Sequence, residues 1–211
     1  MNDVMTMTTQ GPDQDVAELF SSPPGEDDLA SLSARLAARA EEEGLLDVAY
    51  RTLDTPVGTL LLAATPTGLV RVAYDSEGLD AVLDRLADKV SPRILYGPMR
   101  LDEAARQLEE YFARRRTRFD LPLDVSLSGG FRRSVLSYLP AIGYGQTASY
   151  QAVAAAVHNP GAARAVGTAC ATNPLPLVIP CHRVIRSDGQ IGAYLGGSEI
   201  KHQLLDMEAR R

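Results

Sequence analysis

Between Val48 and Tyr74 the chain carries three short apolar runs, Val48 to Leu53, Gly58 to Ala64 and Gly68 to Tyr74. Pro56-Val57-Gly58 and Thr65-Pro66-Thr67-Gly68 separate them. Gly and Pro at such points turn the backbone, so each run is held to strand length and the segment reads as a small sheet. Two helices should follow. Leu79 to Val90 repeats Leu79, Val82, Leu83 and Leu86, and Asp102 to Arg115 repeats Ala105, Leu108 and Phe112, both at helical period. Arg114, Arg115, Arg116 and Arg118 suit the negative end of that helix dipole and a solvated face, with phosphate contact as the alternative. Leu121 to Leu127 reads as a return strand or extended linker, and Ser128-Gly129-Gly130 as a hinge.

Beyond the hinge the pattern turns helical. Phe131 to Leu139 forms one helix, ended by Pro140. Ser149 caps a helix through Val157, with Tyr150, Val153, Ala154 and Val157 on one face. Asn159 should cap the next, with Pro160 at its first position, giving a helix-turn-helix. This second helix is smooth, with Ala162, Ala163, Ala165, Gly167 and Ala169. A major-groove reader would carry long polar side chains here. Small ones suit close approach to a minor groove, or packing inside the protein.

The expected class is an α/β (α+β) chain of two domains. Residues 46–127 would form a small sheet-plus-helices domain, and residues 128–211 a mainly helical, winged-helix-like one. A chain of 211 residues, 45% apolar, suffices for two small cores. Residues 1–45 are expected to be an acidic, mostly disordered extension; residues 1–28 are rich in Asp, Gly, Pro, Ser and Thr. Leu29, Leu32, Leu36 and Ala40 mark one amphipathic helix, with Asp28 as cap and Gly44 as stop. It docks on the body or binds a partner protein. The net charge of -6 is unevenly spread. Residues 1–50 hold eleven acids and two bases, whereas residues 131–211 hold four acids and eight bases. The second half therefore suits phosphate contact. No run is long enough to span a membrane, and the N-terminus lacks the basic start and apolar core of a secretory signal. Two cysteines make no disulfide scaffold; a reducing cytoplasm is expected, with a Cys170–Cys181 disulfide as the alternative.

The chemistry concentrates at Pro180-Cys181-His182-Arg183-Val184. A thiolate is a nucleophile and a nearby imidazole can take the thiol's proton. Buried cysteines are usually inert packing, and a cysteine hydrolase would use the same pair.

The surroundings of that pentapeptide narrow the choice. Phe131 to Val135, Ile142 to Tyr150, Asn159 to Gly167, Asn173-Pro174, Pro180 to Val184, Gly192 to Gly197 and Lys201 to Glu208 fall in one order and spacing. Residues 131–208 thereby resemble the C-terminal domain of the O6-alkylguanine-DNA alkyltransferases, and residues 48–125 are more weakly similar to that family's N-terminal domain. The resemblance implies irreversible transfer of an alkyl group from guanine O6 in double-stranded DNA to Cys181, one turnover per molecule, in a monomer close to the nucleoid. It implies that His182 activates Cys181 through a water, with Glu208 behind, and that Tyr150 turns the phosphate and bonds the leaving base. Asn173 would shape the turn before Cys181. Arg164 would fill the gap left by the flipped base, with Ala163 and Gly167 against the groove. Pro176, Tyr194, Gly196, the Leu195 N–H and the Val184 carbonyl would bound the base pocket. Arg183 reads as a salt-bridge partner. No cofactor is implied; residues 1–130 hold neither Cys nor His, so the zinc site of some relatives is not expected. Arg132 and Leu136 depart from many relatives' Gln and Trp. A damage sensor of the same fold lacks the acceptor cysteine, and an alkylation-responsive regulator carries an N-terminal cysteine cluster, so Cys181 and that missing cluster favour transfer.

Overall fold

The computed structural model describes residues 26–210. The disorder expected for residues 1–28 therefore falls mainly outside the described residues. The three runs become β1 (Val48–Thr55), β2 (Gly58–Thr65) and β3 (Gly68–Tyr74), paired antiparallel, with Leu53 opposite Leu60 and Leu62 opposite Val72. A short β4 (Ile94–Tyr96) adds parallel to β1, giving the order β3-β2-β1-β4. Three residues carry too little periodicity for this strand to be read from the sequence.

Successive side chains on a strand face opposite ways, and β2 uses both faces. Leu61 and Ala63 join Val48, Val70, Val82 and Leu86 under α2 (Leu79–Lys89). Leu60 and Leu62 meet Leu108 and Tyr111 of α3 (Asp102–Phe112). That second cluster runs without a break into Val135, Val153, Val166, Leu175, Cys181 and Leu204 of the second half. The sheet domain and the helical domain thus share a core. Residues 121–127 give no strand, only a bridge between Leu69 and Leu123.

The N-terminal helix, α1 (Glu26–Glu42), starts before Asp28, which lies inside its first turn. Its docked face also differs from the leucine stripe. Ala37 and Ala40 pack on Leu46, Ala49 and Leu95, whereas Leu32 and Leu36 stand 53% and 57% exposed. The alanines win because the helix lies close to Gly97, where an added Cβ would sit 3.6 Å from that of Ala37.

The second half holds α4 (Gly130–Tyr138), α5 (Tyr150–Ala156), α6 (Ala163–Ala171) and α7 (Ser198–Ala209). Two-residue strands, β5 (Ala148–Ser149) and β6 (Val184–Ile185), pair in parallel. Ser149 caps α5 as expected, its Oγ accepting from Ala152 N at 3.0 Å. Asn159 does not cap α6. Its carbonyl accepts from Ala162 N at 3.0 Å, so Pro160 and Gly161 sit inside a turn and α6 starts at Ala163.

Candidate active site

The segment leading into Cys181 forms no strand. Pro174, Pro176 and Pro180 have no N–H to give a ladder. Leu177 has a φ of 72°, a left-handed conformation rare for a branched residue. The segment is a buried chain of turns held by Asn173. Its Oδ1 accepts from Leu175 N at 3.0 Å, and its Nδ2 donates to Ile179 O at 2.9 Å and to Cys181 Sγ at 3.1 Å. The asparagine that shapes the turn therefore also sits on the sulfur. The sequence suggested the first role and gave no sign of the second.

Cys181, His182 and Arg183 form one 3-10 turn, all buried. Cys181 is 1% exposed. Burial pushes its thiol up to about 11, against the Asn173 hydrogen bond and the Lys201 charge, which favour the thiolate. At neutral pH the sulfur therefore keeps its proton until a base removes it. His182, the next residue, is the candidate for that base. Its Nε2 lies 2.9 Å from Glu208 Oε1, while Nδ1 is buried with no partner among the described residues. An ionised carboxylate only accepts, so Nε2 carries the hydrogen and Nδ1 keeps its lone pair in the neutral ring. Burial holds His182 below the usual imidazole value, over the opposing pull of Glu208.

Glu208 lies near the end of α7 but is no surface carboxylate; it is 1% exposed. Oε1 accepts from Tyr111 Oη at 2.7 Å, His182 Nε2 at 2.9 Å and Arg183 Nη2 at 2.9 Å. Oε2 accepts from Arg183 Nε at 2.9 Å and Gly145 N at 3.1 Å. Burial opposes its charge, but the hydrogen bonds of His182 and Arg183 outweigh this and hold it at about 2. Arg183 is the salt-bridge partner expected of it, and its Nη1 also reaches Ile142 O at 2.7 Å. Tyr111 was missed because it follows Leu108 by three residues on a core-facing stripe.

The remaining candidate residues are placed as follows. Tyr150 is half-buried, and its hydroxyl lies so near Gly192 that an added Cβ there would come within 2.6 Å. Lys201, 1% exposed, places Nζ 5.9 Å from the Tyr150 ring centroid and donates to Val184 O at 2.6 Å. One lone pair of the Val184 carbonyl is thus already taken. Tyr194 lies edge-on to the His182 ring, with centroids 6.3 Å apart. Pro176 is buried, and Leu195 lines a cavity of about 500 Å³ with Arg71, Thr172 and Pro174. Cys181 does not line that cavity. On α6, Arg164 is exposed, while Ala163 and Gly167 are half-buried and Gly167 faces the Tyr150 ring. Cys170, also on α6, is buried and free, its thiol pushed up by burial to about 12.

A family model described as 6-O-methylguanine DNA methyltransferase, DNA binding domain, matches residues 130–210. One described as 6-O-methylguanine DNA methyltransferase, ribonuclease-like domain, matches residues 48–125. The methylated-DNA–protein-cysteine methyltransferase of Mycolicibacterium paratuberculosis is 39% identical over 163 residues, covering 77% of this chain and 93% of the relative. That of Mus musculus is 40% identical over 170 residues, covering 75% and 80%. The crystal structure of Mycobacterium tuberculosis O6-methylguanine methyltransferase superposes with a TM-score of 0.68 at 36% identity, covering 78% of this chain and 94% of that one. The M. tuberculosis protein in complex with DNA gives a TM-score of 0.67 at 36% identity, covering 76% and 92%. With both halves matched in order, and relatives this similar along most of their length, the chain belongs to the methylated-DNA–protein-cysteine methyltransferase family.

Proposed function

We infer that the protein repairs alkylated DNA by direct reversal, moving an alkyl group from guanine O6 in duplex DNA to Cys181 Sγ. The observation that carries the choice of acceptor is the Asn173 amide on that sulfur, beside a His182–Glu208 pair whose Nδ1 has no partner among the described residues. A water between Sγ and Nδ1 passes the thiol proton to the imidazole, and Glu208 stabilises the cation that results. The S–C bond forms as the C–O bond breaks, and guanine leaves with the electron pair. Tyr150 donates a hydrogen bond to that developing charge. The product is a thioether, which nothing in the site can reverse, so each molecule acts once.

A base inside a duplex is out of reach and must be flipped. The smooth face of α6, with Ala163 and Gly167, lies in the minor groove, and Arg164 enters the vacated stack. The flipped base rests between Pro176, Tyr194 and Gly196. The Leu195 N–H meets O6, and the free lone pairs of the Cys181 and Val184 carbonyls read the exocyclic amine. We read the protein as acting as a monomer. We keep residues 1–45 as an extension outside this machinery.

The test is incubation with a duplex carrying O6-methylguanine, followed by tandem mass spectrometry. The expected result is one methyl on Cys181, saturating at one per protein and absent in Cys181→Ser. Cys170 and Cys181 share a tryptic peptide, so fragmentation must separate them. Duplex binding without methyl transfer would make the protein a damage-binding one instead.

A further inference from the structure

The candidate catalytic groups belong to the helical domain, yet the end of β3 in the sheet domain touches both the Asn173 turn and Tyr194. Val72 N donates to Pro174 O at 2.9 Å, and Arg71 Nη1 reaches Asn173 O at 3.4 Å. Arg71 is paired with Glu77, whose other oxygen accepts from Tyr74 N at 3.1 Å. Tyr74, the last residue of β3, is 1% exposed. Its hydroxyl lies 2.8 Å from that of Tyr194, and the two rings meet edge to face with centroids 5.8 Å apart. The Tyr74 ring also underlies Gly196, where an added Cβ would come within 3.1 Å of three ring atoms. One strand end thus holds both the asparagine turn that bonds the sulfur and the tyrosine that lies against the His182 ring.

Packing alone does not require the Tyr74 hydroxyl. A phenylalanine would fill the same space, and burying a hydroxyl is costly without a hydrogen-bond partner. That partner is Tyr194, which also lies against the His182 ring. Burial raises the proton affinity of both phenols, so both stay protonated and one donates to the other.

We propose that Tyr74 is a positioning residue for alkyl transfer: its hydroxyl fixes Tyr194, and with it the seat of the alkylated base against Cys181. The claim rests on Cys181 and Tyr194 forming the pocket assigned above. A wall free to swing would still admit the base but would present its O6-alkyl carbon to the sulfur less often in line. The loss therefore falls on the maximal transfer rate and not on duplex binding.

The experiment is single-turnover methyl transfer from an O6-methylguanine duplex across a range of protein concentrations, which separates half-saturation from maximal rate. Tyr74→Phe should fold with an unchanged far-UV spectrum, keep the wild-type half-saturation and lose about fivefold in maximal rate, the size expected for one hydrogen bond of about 1 kcal/mol. Tyr194→Phe should show a similar loss. The double variant should lose no more than either single one, because both remove the same bond. A wild-type maximal rate in Tyr74→Phe, or losses that multiply in the double variant, would overturn the proposal. If Tyr74→Phe does not fold, a wild-type maximal rate in Tyr194→Phe overturns it equally. Failure of the wild-type protein to methylate Cys181 would instead count against the pocket assignment.

Discussion

Glu208 has more hydrogen-bond donors around it than a carboxylate needs to stay ionised, and this ties the site to pH. Glu208 is held at about 2 against an ordinary 4.5, and burial holds His182 below its ordinary 6.5. Both groups bind fewer protons folded than unfolded. Their contribution is therefore complete above pH 6.5 and is lost on acidification, first through His182, then between 4.5 and about 2 through Glu208. Melting temperatures recorded from about pH 8 to about pH 3 should be level at first and then fall in that order. Glu208→Gln should flatten the lower part of the fall. It should also cost about 3–5 kcal/mol at neutral pH, because it leaves Arg183 as a buried charge without a counterion. At this scale the sequence disclosed the residues with reactive side chains. Cys181, His182 and Glu208 stand in a recognisable order. Tyr74, Tyr111 and Lys201 do not, because a phenol or amine on an apolar stripe looks like packing until the chain folds.

Elements were legible where periodicity or punctuation ran long enough. β1, β2 and β3 and the helices α2 and α3 follow their turns and stripes closely. The proline-rich approach to Cys181 was not legible, because an apolar run says nothing about missing N–H groups until its hydrogen bonds are traced. α1 misled for another reason: leucines mark an amphipathic face, but small alanines decide which face can approach the sheet. Removing residues 1–43 should therefore leave the methyl-transfer rate unchanged and lower the melting temperature only slightly, since among residues 31–42 of the helix only Ala37 and Ala40 are buried. The Gly192 loop should be far less tolerant. In Gly192→Ala the new methyl meets the Tyr150 hydroxyl, so circular dichroism should stay native while single-turnover transfer falls by about a hundredfold.

At the scale of the molecule, the shared core makes the two halves one mechanical unit. Leu60, Leu62 and Tyr111 on one side and Leu175, Cys181 and Leu204 on the other belong to the same cluster. Composition allowed two separate cores, and no pattern within a helix or strand could reveal that they merge, because the merged core joins residues far apart in sequence. Loosening the first half should therefore be felt at the sulfur. The enclosure of Cys181 has a consequence for the spent protein. A sulfur 1% exposed sits in close-packed surroundings that were sized for a thiol. A methyl thioether is larger, and overpacking of this kind costs about 1–3 kcal/mol. The methylated protein should melt several degrees below the unreacted one, as calorimetry of the two forms would register. An exposed acceptor would leave used and unused molecules alike. Here the modification is written into the interior as misfit, and a used molecule differs from a fresh one in how long it stays folded.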